Sequence, residues 1–305
     1  MSDIIQFIIS ESNSESIEDI KSILSKNIDI KILDAFYKTY FNKNKIISIF
    51  SPKGGVGKSM LAANLAIAIK KITKEKVALL DLDMQFGDIS LFMNSYSERT
   101  LHDLIYNIDY VDSQQLEEYL TEHESGVKML AAPHEYQYEK KVTKDIIEKV
   151  LCLFESYNFV LIDTSSVLNE MNLSVLENSN HILLITTLEL TSIKNTMTML
   201  NIMNKNDFLK NKIDFILNRY EKSSGITIDD LKNIIGDRKL HIIPEDKNCV
   251  IHSINSGKPI TMDIKKADIY KSIMKIGESI VKSDIRGILE RWKEFDERDK
   301  KAAMF

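Results

Sequence analysis

Three glycines fall within four positions of Lys53-Gly54-Gly55-Val56-Gly57-Lys58-Ser59. Without Cβ atoms, a chain can curl until successive backbone N–H groups converge on one anion. The stretch follows the apolar run Ile46-Ile47-Ser48-Ile49-Phe50 and opens a helical segment at Ser59. A helix N-terminus therefore adds its partial positive charge at the same point. Lys58 stands within reach of the β- and γ-phosphates of a nucleotide, and the Ser59 hydroxyl is placed to ligate Mg2+. The pattern departs from the usual spacing once, because Pro52 takes the position five before Gly57. Proline fixes φ and lacks an N–H, but it stands at the start of the loop, so nucleotide binding is expected to survive.

Acids follow at two strand ends. The apolar segment 76–81 closes in Asp81-Leu82-Asp83, then Met84-Gln85-Phe86-Gly87-Asp88. In open α/β sheets the C-terminal strand ends share the edge where ligands bind, and residues two apart on a strand point the same way. Asp81 and Asp83 can then both face the nucleotide. For Asp81 two readings stand open, a functional acid or a structural acceptor for loop N–H groups; Asp88 reads as a loop cap. Phe159-Val160-Leu161-Ile162-Asp163 likewise ends an apolar run in an acid. Asp163 is expected to hold Mg2+, directly or through water, beside Ser59.

The rest of the chain reads as the scaffold for these groups. Short β-branched runs recur at 45–50, 76–81, 127–131, 159–163, 181–186, 213–217 and 241–243. Segments of helical length and period lie between most of them, at 58–71, 143–156, 191–203 and 226–235. Several strands are apolar throughout, as when both faces are covered. Strand–helix alternation of this length predicts an α/β fold, a doubly wound, mainly parallel sheet with helices on both faces, spanning 45–283. His181, inside an apolar strand, is expected to be a satisfied core histidine. The 305 residues carry 40 basic and 45 acidic side chains, which disfavours a generally basic nucleic-acid binder. Cys152 and Cys249 have no CxxC partner, which excludes a disulfide scaffold or zinc ribbon and suits a reducing compartment. With no basic leader and no apolar run of membrane length, the expectation is a cytoplasmic protein.

The loop Lys53–Ser59, with its extra opening lysine, resembles the deviant Walker A motif, KGGxGK[ST], of the MinD/ParA ATPases. That resemblance implies a P-loop ATPase that binds ATP·Mg2+ as a homodimer, with Lys53 reaching across to the partner's phosphates. It assigns Asp83 to positioning the attacking water, Asn218 to the adenine edge, and the loop Ile243-Pro244-Glu245-Asp246 to closing over the base. The ATP-binding set it implies is Lys53, Gly54, Gly55, Val56, Gly57, Lys58, Ser59, Met60, Asn218, Arg219, Pro244 and Asp246, with Ser59 and Asp163 on the metal. Three phrases, DLDMQFGDISLFM, LITTLELTSIKNTMTML and NCVIHSINSGKPI, resemble the CpaE/TadZ branch. That likeness implies a slow, partner-stimulated ATPase acting on a pilus or secretion apparatus. Where the family continues Asp-Thr-Pro-Pro-Gly, this chain has Asp163-Thr164-Ser165-Ser166-Val167, so its switch loop differs.

Two ends fall outside this domain. Residues 1–44 read as a small β-α-β extension, a possible remnant of a receiver-like domain. Residues 284–305 read as an amphipathic helix with Trp292 and Phe295 on its apolar side. Six basic and six acidic residues between Asp284 and Lys301 leave no excess positive charge, so anionic lipid should attract it weakly; membrane contact and packing on the protein both stand as readings. Lys265, Lys266, Lys271 and Lys275 recur at helical spacing, either as a DNA-contacting face of the ParA sort or as a solvated one. The rival functions are a DNA-partitioning ATPase, a membrane-associated positioning ATPase, and a nucleotide-held scaffold with little turnover.

Overall fold

A computed structural model describes residues 44–133, 142–206, 209, 212–222 and 225–283. The expected β-α-β extension (Asn44 apart) and the amphipathic tail lie outside these residues. Hydrophobic runs of strand length alternate with helices in the order β1 (Lys45–Phe50), α1 (Lys58–Thr73), β2 (Val77–Asp81), α2 (Ile89–Phe92), α3 (Leu101–Tyr106), β3 (Thr121–Glu122), β4 (Lys128–Leu130), α4 (Lys144–Leu153) and β5 (Phe159–Asp163). There follow α5 (Glu170–Asn178), β6 (His181–Thr186), α6 (Leu190–Asn204), β7 (Ile213–Tyr220), α7 (Ile228–Ile235), β8 (Leu240–Pro244), α8 (Lys247–Ser256) and α9 (Ile260–Asp263). The last helix among the described residues, α10, covers 268–283.

The strands form one eight-stranded sheet in the order β3-β4-β2-β5-β1-β6-β7-β8. Every pairing is parallel except β3 with β4. Alternate side chains of each strand enter cores on opposite faces, which is why the strands are apolar throughout. Ile47, Ile49, Leu79, Leu161 and Ile185 pack with α1 and with Ile273, Ile276 and Ile280 of α10. On the other face, Ala78, Leu80, Val160 and Ile162 meet α3 and α4, while Phe50, Ile182, Leu184 and Phe215 meet α6 and α7. Helix α1 is buried along nearly its whole length; its four alanines let it lie close between the sheet and α10. The doubly wound fold is as expected.

β1 lies between β5 and β6, so the chain winds outward from it in both directions. That is the switch point at which open α/β sheets bind ligands, and the glycine-rich loop leaves β1 there. Three details differ from the sequence reading. β7 runs on to Tyr220 rather than ending at residue 217, with a register irregularity between Leu217 and Tyr220. Asn218 and Arg219 therefore stand within the strand, Arg219 at a φ of 55°. The two-residue β3 and the short helices α2 and α3 carry too little periodicity to be read from sequence. His181 Nε2 lies 3.1 Å from Asp214 Oδ2, so it has the partner expected for it, but its side chain is 20% exposed rather than in the core.

Candidate functional site

The loop between β1 and α1 takes the curled path its glycines permit. Gly55 and Gly57 have φ of 72° and 96°, a region costly for any residue with a Cβ. Gly57 is also held by contact, since a Cβ there would lie 2.7 Å from Asn218 Nδ2. The same amide donates to Val56 O at 2.7 Å, so β7 braces the loop from the side. Sequence reasoning placed Asn218 at the base; its observed bond is to the loop backbone, although it also lines the cleft. No local pattern signals that bond between residues 162 positions apart.

Lys58, only 8% exposed, donates from Nζ to Ser166 Oγ at 2.7 Å. Burial lowers its pKa, opposed by the nearby carboxylates of Asp163 and Asp83. Asp163 is 1% exposed, and both its oxygens are buried without a hydrogen-bond partner. Burial pushes its pKa up to about 7; the Ser59 hydroxyl and the Lys58 ammonium oppose that shift, and the Asp83 and Asp88 carboxylates add to it. A buried, unpartnered carboxylate next to a hydroxyl is the donor chemistry a small hard cation takes. Among the described residues, no cluster of three or more His, Cys, Asp or Glu side chains would hold a metal by itself, so an ion here needs further oxygen from phosphate or water.

The register Asp81↔Asp163 sets two carboxylates side by side at the sheet's C-terminal edge. The question left open for Asp81 resolves toward structure. It is fully buried, its Oδ1 accepts the N–H of Asp83 and its Oδ2 that of Ile89, each at 3.1 Å. These bonds pin the 81–89 loop. Burial, with Asp163 beside it, raises the Asp81 pKa well above the carboxylate range. Asp83 Oδ1 accepts the N–H groups of Gln85 and Phe86 and the residue lines the cleft. Asp88 departs from its expected capping role. It occupies the N-cap position of α2 but makes no side-chain cap bond, and it lines the cleft instead. Burial and the Asp83 charge raise its pKa.

The glycine-rich loop, Asp83 and Asp88 border one cleft of about 690 Å³. Gly54, Gly55, Gly57, Lys58, Ser59 and Met60 form its phosphate-loop wall, facing Asp83 and Asp88. Asn218, Arg219, Pro244 and Asp246 line another part, beside Val250 and Ile251 of α8. Asp246 also caps α8, its Oδ1 accepting the Cys249 N–H. Lys53, Val56 and Asp163 contribute no lining surface. The Lys53 ammonium instead bonds to Glu189 and to Thr191 Oγ1, partners that no sequence motif pointed to.

Residues 47–260 match the model of the CobQ/CobB/MinD/ParA nucleotide binding domain. The chain belongs to this family. Relatives within the CobQ/CobB/MinD/ParA family include the septum site-determining protein MinD of Thermotoga maritima, 26% identical over 72% of this chain and 81% of that protein. The putative MinD of Nephroselmis olivacea is 27% identical over 71% of this chain and 79% of its own. Among solved structures, MinD of Pyrococcus furiosus superposes with a TM-score of 0.67 at 25% identity, covering 78% of this chain and 99% of that one. MinD of Pyrococcus horikoshii, complexed with Mg-ADP, gives 0.65 at 25% identity over 78% and 96%. A ParA family ATPase from Chlorobium tepidum shares the fold, with a TM-score of 0.71 at 23% identity over 77% and 98%. Among the described residues, no helix is long and apolar enough to cross a membrane.

Proposed function

We propose that the protein is a MinD/ParA-type ATPase that binds ATP·Mg2+ in this cleft, dimerises on it and hydrolyses it. The observation that carries the reading is the convergence of the curled amide loop, the buried Lys58 and the unpartnered Asp163 at the switch point of the sheet. The loop's N–H groups and Lys58 bind the phosphates, with Gly54, Gly55 and Gly57 allowing close backbone approach. Ser59 and Asp163 hold the Mg2+, which when bound neutralises charge on the transferring phosphoryl group. Asp83 accepts a hydrogen bond from the attacking water. Arg219, Pro244 and Asp246 border the base. Lys53 leaves its own chain's Glu189 to add positive charge at the partner's phosphates, so the chemistry is complete only in the dimer. The relative from Pyrococcus horikoshii supports the choice of ligand, being complexed with Mg-ADP.

Turnover is slow and stimulated by a partner, and the two nucleotide states differ in affinity for that partner. The three phrases shared with the CpaE/TadZ branch support a pilus or secretion apparatus as the machinery positioned. Residues 45–283 act as the ATPase domain.

Sizing the full chain by sedimentation with ATP, with ADP and without nucleotide, alongside a phosphate-release assay, tests this reading. The expected result is a dimer with ATP alone and slow release that Asp83→Ala abolishes. An ATP-loaded protein that stays monomeric and releases no phosphate with any added partner overturns it.

A further inference from the structure

We propose that Asn64 is a positioning residue that ties the base-side wall of the cleft to the phosphate-binding helix. The inference rests on the reading of the cleft as a nucleotide site. Between Met60 and Ile69, Asn64 is the one polar residue of α1, and it is 1% exposed. A buried amide is costly unless its groups are bonded. Its Nδ2 donates to Met60 O at 2.8 Å within the helix. Its Oδ1 accepts the N–H of Thr261 at 2.9 Å and the Thr261 hydroxyl at 3.1 Å. The Lys71 ammonium, further along α1, donates to Thr261 O. The N–H, hydroxyl and carbonyl of Thr261, itself fully buried, are thus all bonded to α1.

Thr261 lies in the first turn of α9, and from there the anchoring runs back toward the cleft. Ser253 Oγ donates to Lys258 O at 2.6 Å, and the Lys258 N–H donates to Ser253 O at 3.1 Å, closing the turn between α8 and α9. At its other end α8 is capped by Asp246, a residue of the base-side loop. Within α8 only Cys249 and Ser253 are buried, while Val250, Ile251 and Ile254 line the cleft. A helix with so little surface in the core depends on what holds its ends. Helix α1 carries Lys58, Ser59 and Met60 at its start. One helix therefore sets the phosphate contacts directly and, through Thr261, the wall that faces the base.

The test is the calorimetric affinity of the full chain for ATP·Mg2+ and for inorganic tripolyphosphate·Mg2+, in the natural protein, Asn64→Ala and Thr261→Val. Tripolyphosphate engages the glycine-rich loop but brings no base to the α8 wall. Asn64→Ala is expected to weaken ATP binding about tenfold, the scale of one or two lost hydrogen bonds, and to leave tripolyphosphate affinity unchanged. Thr261→Val keeps the shape and the backbone bond but loses the hydroxyl, so a smaller loss, again for ATP alone, is expected. Equal fold-losses for the two ligands, or no loss for ATP, overturn the positioning role and leave the phosphate site standing. Where circular dichroism shows Asn64→Ala unfolded, the same comparison in Thr261→Val decides. A natural protein that binds neither ligand removes the nucleotide site itself, and the inference with it.

Discussion

The Lys53 ammonium is tied within its own chain to Glu189, 136 residues further on, and to Thr191 Oγ1 at 3.1 Å. Glu189 immediately precedes α6, so the pair joins the start of the glycine-rich loop to a neighbouring helix. The lysine assigned to a partner's phosphates thus has a resting place at home.

That place is a weak one. The Glu189 side chain is 58% exposed, and such surface pairs contribute about 0–1 kcal/mol. Glu189→Gln is expected to free Lys53 and to raise the association constant of the ATP-loaded dimer by up to about fivefold for each pair released, the equivalent of that energy. Sedimentation over a concentration series measures it. A lower dimer fraction in the variant would mean that Glu189 helps assembly.

Asp163 makes stability depend on pH. Its pKa is raised to about 7 from an ordinary 3.8. Below that ordinary value the carboxyl is protonated in the folded and unfolded chain alike, and no penalty arises. As pH rises from about 4 through about 7, the unfolded chain releases the proton while the fold retains it, so stability falls across that window. Asp163→Asn is expected to flatten the decline, by an amount on the order of a few kcal/mol. Thermal denaturation at a series of pH values checks the sign; an unchanged slope counts against it. Mg2+ affinity of the natural protein should rise over the same interval, because the ion takes the carboxylate.

Asn218 separates bracing from base recognition. Asn218→Ala removes the donor to Val56 O, leaving a buried carbonyl unpaired at a cost of about 1–3 kcal/mol. The expected outcome is a lower melting temperature and weaker binding of ATP and GTP alike. If calorimetry instead shows only the preference between the two nucleotides changing, the amide reads the base.

Gly87 packs closely against Asp81, whose carboxylate anchors the 81–89 loop that carries Asp83. A Cβ at Gly87 would lie 2.3 Å from Ala132 Cβ and 2.6 Å from Asp81 Oδ2. Neither neighbour can swing aside, as one is a methyl group and the other is bound to two backbone N–H groups. Gly87→Ala is expected to displace the 81–89 loop and cost about 1–3 kcal/mol of stability. Phosphate release should suffer more than nucleotide affinity, since Asp83 moves and the glycine-rich loop does not. Equal losses in both would place the damage elsewhere.

What the sequence made legible follows from how local each cause is. The loop at 53–59 and the acid ending β5 are short-range patterns, and the fold follows from apolar runs whose lengths differ between strand and helix. Asn218 on Val56, Lys53 on Glu189 and Lys58 on Ser166 each join residues more than 100 positions apart, so no spacing rule reveals them. Asp88 was misread for a related reason. An acid before a short helix usually caps it, yet here the cleft formed by distant strands claims the carboxylate.

The sheet's margins bear on where a second molecule can sit. One margin is a two-residue strand running against all the rest; the other is a five-residue strand ending at Pro244. Neither offers the long ladder of free amides and carbonyls on which sheets extend from molecule to molecule. Among the described residues, then, neither margin favours self-association that continues the sheet sideways.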